Sequence, residues 1–329
     1  MNPQTACQEL SEVCIALGTY NGSAFIEQQV QSIFSQQHHR CHIIARDDGS
    51  EDKSIDILLS LSEGQQFSVI RENHQNQGVL KNFNTILNET AKTSCKYIAL
   101  ADQDDIWYKN KIENQINLMK QLEEKYPHTP FLIHSDLEVV NESLKPIASS
   151  FMRYQGIRHE PVNPLDVLLV QNYVTGCTVL VNRPLLDLAL PIPSEALMHD
   201  WWLALCAASF GKIAFIDKPL LKYRQHSNNE VGAKPLLRML NPFKNNYCQI
   251  FVRGRQKLSD SMSQASALAE RIKHIDPSNS NLPLIEAYAQ LRKDSPIKRV
   301  RKIRSLKIHS QSRLRQIVML LRLMSMSSK

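Results

Sequence analysis

The 329-residue sequence predicts an α/β fold with a mostly parallel central sheet, followed by a C-terminal helical region. Short apolar runs alternate with amphipathic stretches through the first third of the chain, which is typical of strands joined by crossover helices. Strand signals fade after about residue 230, where helical patterns take over. We therefore predict one domain over residues 1–235 and a helical region over residues 236–329. The chain is 43% hydrophobic and 22% charged, which excludes a disordered protein.

Seven apolar runs have the length of strands. They span residues 13–17, 42–45, 67–71, 97–101, 131–134, 177–181 and 213–216. Helical periodicity is strongest over residues 24–37, from residue 54 onward, over 80–91 and over 199–210. Ser23 is the predicted N-cap of the first helix. This alternation places helices on both faces of the sheet.

Polar clusters follow three of the predicted strands. Tyr20 and Asn21 follow the first strand, Asp48 follows the second, and residues 102–105 follow the fourth. Ligands of open parallel sheets bind outside the carboxyl ends of the strands. We therefore expect these clusters to meet in one crevice.

Asp102 and Asp104 lie one residue apart on a turn, so both carboxylates can approach one hard cation such as Mg²⁺ or Mn²⁺. The alternative is a solvated acidic turn. A carboxylate in the loop containing Asp48 can accept hydrogen bonds from a nucleobase or a ribose, and the alternative is a helix-capping turn. Neither a Gly-x-Gly-x-x-Gly motif nor a P-loop is present, which argues against a dinucleotide oxidoreductase and a P-loop kinase.

The third cluster joins a carboxylate to two aromatic residues. Asp200 is predicted near a helix start and is followed by Trp201 and Trp202. Partial desolvation raises the basicity of such a carboxylate, which suits a general base, and the indoles can stack on sugar rings. The alternative is that Asp200 caps the helix while both tryptophans belong to the core.

Compartment is inferred from cysteines and hydropathy. The seven cysteines are scattered and match no disulfide framework or zinc site, so we expect reduced thiols and a cytoplasmic protein. Residues 1–12 are polar and lack the apolar segment of a signal peptide. No apolar stretch approaches the 18 residues that a membrane span needs.

Positive charge is concentrated at the C-terminus. Residues 290–329 contain 12 Lys/Arg and one acid, whereas the whole chain has a net charge of +7. Leu314, Ile317, Val318 and Leu321 have helical spacing and are flanked by arginines, which predicts a basic amphipathic helix at an anionic membrane surface. The alternative is packing on the catalytic domain or on a second subunit, which would make a homo-oligomer. Nucleic acid is disfavoured because the run lacks interleaved aromatics.

These clusters, in this order, resemble the family 2 glycosyltransferases with the GT-A fold, which use nucleotide-diphosphate sugars. They are most similar to bacterial rhamnosyltransferases that extend O-antigen (lipopolysaccharide) or capsular polysaccharide. The resemblance covers roughly residues 12–230. The segments that carry it are residues 18–22, 47–50, 76–83, 101–107, 175–178, 199–202 and 223–228.

The resemblance implies a role for each matching residue. Asp200 would be the catalytic base of an inverting transfer, and Trp201 and Trp202 would lie on the acceptor side. A divalent metal, Mg²⁺ or Mn²⁺, would be held by Asp102, Asp104 and His226, with Asp104 favoured as the direct ligand. The donor, expected to be dTDP-rhamnose, would contact Thr19, Tyr20, Asn21, Asp48, Lys81, Asp102 and Gln103.

The resemblance also implies an acceptor and a cellular location, and it leaves two alternative functions open. The acceptor would be a lipid-linked or lipopolysaccharide glycan, which places the enzyme at the inner face of the bacterial cytoplasmic membrane as a peripheral protein. A nucleotidyltransferase on a related fold is an alternative, although no Gly-rich triphosphate loop lies near residue 20. A non-catalytic, membrane-associated scaffold is another alternative, which the intact set of acidic residues disfavours.

Overall fold

The computed structural model describes residues 11–37, 41–71, 75–226 and 247–327. The predicted domain boundary at residue 235 lies outside these residues. Within them, a mixed sheet of nine strands is flanked by helices. The strands are β1 (Val13–Thr19), β2 (Cys41–Asp47), β3 (Phe67–Ile70), β4 (Tyr97–Ala101), β5 (Ile106–Trp107), β6 (Phe131–Asn141), β7 (Pro146–Ala148), β8 (Leu180–Asn182) and β9 (Lys212–Gln225).

The helices alternate with the strands and then continue alone to the end of the described chain. They are α1 (Ile26–Phe34), α2 (Ser54–Ser62), α3 (Val79–Ala91), α4 (Lys111–Lys125), α5 (Phe151–Gln155), α6 (Pro164–Leu168), α7 (Arg183–Ala189), α8 (His199–Phe210), α9 (Tyr247–Ile275), α10 (Leu282–Ala289), α11 (Pro296–Ser305) and α12 (Arg313–Ser325). The C-terminal region that the structure describes is therefore helical.

The sheet order is β3-β2-β1-β4-β8-β6-β9-β5, with β7 paired to β6. β1 is parallel to β2 and β4, and β2 is parallel to β3. β8 runs antiparallel to both β4 and β6, and β9 is parallel to β6. Six strands therefore share one direction, while β5, β7 and β8 run against it. The carboxyl ends of β1, β2 and β4 lie at the same edge.

Both faces of the sheet are buried, which explains the continuous apolar runs of its central strands. In β1, Cys14 and Ala16 contribute to one core cluster, whereas Val13, Ile15 and Leu17 contribute to the other. The first cluster also contains residues of α8, α9 and α12, so the C-terminal helices share the core of the sheet domain.

Three local predictions are corrected. The first helix begins at Ile26 without a side-chain cap, and the N–H of Ser23 donates to Asp52 instead, so Ser23 is not its N-cap. The predicted strand over residues 177–181 begins as a 3₁₀ turn (Gly176–Thr178) and becomes β8 only at Leu180. β6 and β9 extend well beyond their predicted ends because they pair with each other along most of their length.

The expectation of wholly reduced cysteines is also wrong, because Cys14 and Cys95 form a disulfide. Cys14 lies on β1, and Cys95 lies just before the neighbouring strand β4, so the sheet brings the two together. Cys41, Cys177 and Cys206 are buried thiols outside this disulfide, and they act as small apolar side chains.

Arg299 anchors the basic C-terminal segment. Its guanidinium is fully buried and donates to the backbone carbonyls of Leu291, Arg292, Leu323, Met326 and Ser327. A buried guanidinium is stable only when its donors are satisfied, and these bonds join α11 to the end of α12. The segment is therefore a packed helical layer. None of the helices in the described part of the chain is both long and apolar enough to span a bilayer.

Candidate active site

A cleft of about 1360 Å³ opens at the carboxyl edge of the parallel strands. Its sheet side is formed by the loops after β1, β2 and β4, which contribute Tyr20, Asp48 and residues 102–104. Its opposite side is formed by residues 170–176, the start of α8, and parts of α9 and α12. The predicted convergence of the polar loops is therefore observed, and helices of the C-terminal region close the other side.

Gln103 joins the loop after β1 to the loop after β4 through hydrogen bonds. Its Oε1 accepts hydrogen bonds from Thr19 Oγ1 (2.5 Å) and from the Tyr20 N–H (2.7 Å), and its Nε2 donates to the Tyr20 carbonyl (3.0 Å). Gly22 leaves room for this amide, because a Cβ at that position would lie 2.2 Å from Gln103 Oε1. Thr19 and Gln103 line the cleft, but their side chains are engaged with each other, so they shape the loop that presents Tyr20.

Two predicted donor residues lie away from the cleft lining. Asn21 adopts a left-handed conformation (φ 49°), and its Oδ1 accepts from the Glu51 N–H, which ties this loop to the loop after β2. Lys81 is exposed on α3 and does not contribute to the cleft surface. Tyr20 does contribute, with 43% of its surface exposed, so its ring is available to a ligand.

Asp48 is the centre of a buried polar network. Its carboxylate accepts from Arg46 Nη1 (2.8 Å) and from the backbone N–H groups of Gln77 and Gly78. Arg46 also donates to Asn82 Oδ1 on α3 (2.9 Å). The Arg46 and Asp48 side chains are 2% and 3% exposed. Asp48 therefore links the end of β2 to the segment before α3 and, through Arg46, to α3 itself. This structural role is independent of any ligand.

Asp104, which lines the cleft, contacts His226. Asp104 Oδ2 lies 2.8 Å from His226 Nε2, and both side chains are about nine-tenths buried. Arg224 braces this arrangement, because its Nε donates to the Asp104 carbonyl (2.8 Å) and its guanidinium stacks on Phe25. The sequence proposed Asp104 and His226 for the same site, and the fold brings them together across 122 residues.

The loop after β4 contains a second group of metal-type ligands. Ligand atoms of Asp102, Asp105 and Cys177 lie within 4.8 Å of one another. Burial and the neighbouring Asp104 and Asp102 raise the pKa of Asp105, and burial raises the pKa of Cys177. Mg²⁺ and Mn²⁺ favour carboxylate oxygens over a thiol, so the carboxylates of Asp102 and Asp104 fit such an ion better than Cys177 does.

Asp200 lies in the first turn of α8, on the side of the cleft opposite the strand ends. Burial raises its pKa to about 6, and hydrogen bonds from neighbouring backbone N–H groups offset part of that effect. Asn172 Nδ2 also donates to Asp200 Oδ1 (3.2 Å), which favours the charged form. The carboxylate is 8% exposed and lines the cleft, so it is a base whose affinity for a proton is raised by its surroundings.

His199 packs against helix α3. Its ring stacks on Phe83 with a centroid distance of 3.8 Å, and burial lowers its pKa to about 3, so the imidazole is neutral. Gly176 provides space beside both residues, because a Cβ there would lie 3.1 Å from His199 Nε2 and 3.6 Å from Asp200 Cβ.

The prediction that Trp201 and Trp202 present their rings to an acceptor is corrected. Trp201 is 1% exposed and Trp202 is fully buried. Their indole N–H groups donate to the carbonyls of Leu168 and Ala189, respectively. Both indoles therefore belong to the core that supports α8. The core alternative weighed from the sequence describes them better.

Comparison with known proteins gives a consistent result. Residues 14–164 match the family model described as "Glycosyl transferase family 2". "dTDP-rhamnosyl transferase RfbG" of Shigella flexneri is 28% identical over 232 residues, which cover 66% of this chain and 74% of that protein. The glucosyltransferase WfgD of Escherichia coli, named for an N-acetylglucosaminyl-diphosphoundecaprenol acceptor, is 27% identical over 176 residues, 53% of this chain and 62% of that protein.

Other relatives are longer than this chain, and solved structures share its fold. The aligned region covers only 31–35% of three uncharacterized Rickettsia glycosyltransferases. The mannosyltransferase PcManGT from Pyrobaculum calidifontis, solved with GDP-Man and Mn²⁺, has a TM-score of 0.55 at 14% identity and covers 91% of this chain and 74% of that chain. At this identity the likeness supports the predicted GT-A fold and nothing finer.

We predict that Asp48→Ala destabilises the protein by about 3–5 kcal/mol, because it leaves the buried Arg46 guanidinium without its carboxylate. The measurement is the free energy of unfolding in urea. Asp56→Ala, which removes an exposed carboxylate from α2, is the matched control and should change stability by less than about 0.5 kcal/mol. Equal stability of the two variants would contradict the structural role of Asp48.

Proposed function

We propose that this glycosyltransferase, whose residues 14–164 match the family 2 model, is metal-dependent and inverts the configuration of the transferred sugar. The proposed donor is dTDP-rhamnose, and the proposed acceptor is a hydroxyl of a lipid-linked or lipopolysaccharide glycan. The observation that supports this proposal is the Asp200 carboxylate, which lines the same cleft as the three strand-end loops and whose pKa burial raises to about 6. The donor assignment is supported by the rhamnosyltransferase name of the Shigella flexneri relative.

The proposed step is a single displacement at the anomeric carbon. The acceptor oxygen forms a bond to that carbon, its proton passes to Asp200, and the bond to the diphosphate breaks with its electron pair leaving on the diphosphate. Asn172 keeps the Asp200 carboxylate charged and oriented, and the buried His199 excludes water from one side of it. Tyr20 and the loop shaped by Gln103 and Asp48 are proposed to hold the nucleoside.

Asp102, Asp104 and His226 are proposed to hold a divalent ion. The two carboxylates are ligands that Mn²⁺ and Mg²⁺ prefer, and the 2.8 Å contact between Asp104 Oδ2 and His226 Nε2 supports including the imidazole in the proposed ligand set. When bound, the ion supplies Lewis-acid stabilisation of the departing diphosphate. Arg224 holds the Asp104 backbone in place independently of any ion.

The C-terminal layer is proposed to place the enzyme at an anionic membrane. Leu314, Ile317, Leu321 and Met324 are each about half exposed and recur on one face of α12. Exposed Arg301, Arg304 and Arg313 lie on the same two helices, α11 and α12. An apolar stripe beside cations is the chemistry of a helix that lies in an anionic bilayer interface. Val318, which the sequence grouped with this stripe, lines the cleft instead, and Leu314 contributes to both the stripe and the cleft surface.

We predict that Asp200→Asn lowers donor turnover by at least about 100-fold while donor binding persists, because the amide has the shape of the carboxylate but accepts no proton. Turnover is measured as release of nucleoside diphosphate. In the unsubstituted enzyme the rate should rise with pH through about 6, because only deprotonated Asp200 acts as a base. Asn172→Ala should move this rise to higher pH, since it removes a donor to the charged form. Retained turnover in Asp200→Asn would refute the assignment.

We predict that EDTA abolishes donor turnover and that added Mn²⁺ restores it. Asp104→Ala and His226→Ala should each lose more than about 100-fold in the metal-stimulated rate, because they remove proposed ligands. Asp217→Ala, an exposed carboxylate on β9, should behave like the unsubstituted enzyme. Full turnover in EDTA would exclude the metal role.

We predict that Ile317→Asp combined with Leu321→Asp weakens binding to vesicles rich in phosphatidylglycerol by about tenfold or more, because charges replace the apolar stripe. Cosedimentation measures this binding. Val162→Asp, an exposed apolar residue far along the chain, is the control. Deleting residues 290–329 is a poorer test, because Ile303, Met319 and Leu323 belong to the core. If the double variant and Val162→Asp both bind vesicles as well as the unsubstituted enzyme does, α12 has a structural role only.

A further inference from the structure

Two surfaces of the cleft carry opposite charges. Among the described residues that line the cleft, the sheet side contributes Asp48, Asp102 and Asp104. The helical side, which here means the surface that α9 and α12 form beside Asp200 of α8, contributes Lys257, Arg315 and Arg322 and no acid. The same helices add apolar side chains to the cleft surface: Ile250, Phe251, Leu258, Leu314, Val318 and Met319. The helical side is therefore both cationic and apolar.

The two arginines keep their charge but use their N–H groups on backbone carbonyls. Arg315 donates to the carbonyls of Gly156 and Gln155, and Arg322 donates to the carbonyl of Ile250. Gly254 leaves space for the Arg322 guanidinium, because a Cβ at residue 254 would lie 2.1 Å from the guanidinium carbon. Glycine inside a helix costs roughly 1 kcal/mol relative to alanine, so the position of Arg322 is maintained at a cost to α9. Neither bond partner neutralises the positive charge.

Lys257 is a cation whose charge acts on Asp200. Its Nζ lies 5.4 Å from the centroid of the Trp201 ring, and its charge offsets part of the rise in pKa that burial causes at Asp200. The side chain is exposed, and no carboxylate in the described part of the chain forms an ion pair with it. A ligand anion at this amine would therefore lie beside the acceptor hydroxyl that Asp200 activates.

We propose that the helical side of the cleft is a subsite for a lipid diphosphate, in which Lys257 pairs with the diphosphate and the apolar residues of α9 and α12 hold the first part of the lipid chain. The proposal rests on the proposed function and specifies its acceptor. A sugar carried on that diphosphate would project from Lys257 toward Asp200. The charge pattern favours this occupant over a neutral glycan, which would leave three cations unpaired.

The test measures direct binding of farnesyl diphosphate, with farnesol and inorganic diphosphate as partial probes. Saturating dTDP and Mn²⁺ occupy the donor side first, and a separate dTDP titration shows whether that side binds at all. Binding is followed by calorimetry at pH 8. We expect farnesyl diphosphate to bind more tightly than either partial probe. Lys257→Gln should weaken it about tenfold, and Lys257→Arg should recover most of the loss, because a charged hydrogen bond is restored.

Arg253→Gln is the matched control, since it removes an exposed cation from α9 that does not line the cleft. It should bind farnesyl diphosphate like the unsubstituted protein. Equal affinities of Lys257→Gln and the unsubstituted protein would overturn the subsite. Equal losses in Lys257→Gln and Arg253→Gln, in solution or on phosphatidylglycerol vesicles, would overturn it as well, because they would indicate a general surface attraction. Failure of dTDP to bind would refute the proposed donor side and leave this comparison intact.

Discussion

The parallel pairing of β1 with β2 and β4 is the constraint on which the site depends. It delivers three chain reversals to one edge of the sheet, and each reversal exposes backbone groups that need partners. The loops satisfy one another: Gln103 joins the first to the third, and Asn21 joins the first to the second. The Arg46–Asp48 pair then fixes the second loop to the start of α3. The polar residues of these loops therefore bond first to one another, and these bonds fix the shape of the proposed donor site.

The other side of the cleft is held by apolar packing. Its helices bury apolar faces that continue the core of the sheet, and Trp201 and Trp202 are the largest side chains that α8 buries there. Because this side is apolar, Asp200 is desolvated and its pKa rises toward 6, whereas the Asp104–His226 contact lies on the polar, sheet side. One cleft therefore combines an environment that raises the basicity of a carboxylate with another in which a carboxylate, Asp104, contacts an imidazole, His226.

Local sequence patterns predicted the parts of the molecule that local physics decides. The buried strands 13–17 and 97–101, the start of α8 and the polar loops after β1, β2 and β4 all followed from periodicity and from the rule on strand ends. Long-range packing decided the rest. β8 lies between β4 and β6 and runs antiparallel to both, which no local pattern predicts. Cys14 meets Cys95 only because the sheet pairs β1 with β4. Asn172 and Lys257 carry no motif, and tertiary contacts alone bring them to Asp200.

The basic C-terminus also changes meaning once its contacts are known. Arg299 is buried and donates to backbone carbonyls. Lys298 and Lys302 form ion pairs with Asp294, and Arg315 and Arg322 line the cleft. Less charge therefore remains on the outer surface than the 12 Lys/Arg of residues 290–329 suggest. Electrostatic attraction to a bilayer falls with each cation withdrawn, so the exposed apolar stripe of α12 must supply much of any interfacial binding energy. Of these cations, Arg315 and Arg322 line the cleft, on the side where we propose that an anionic acceptor binds.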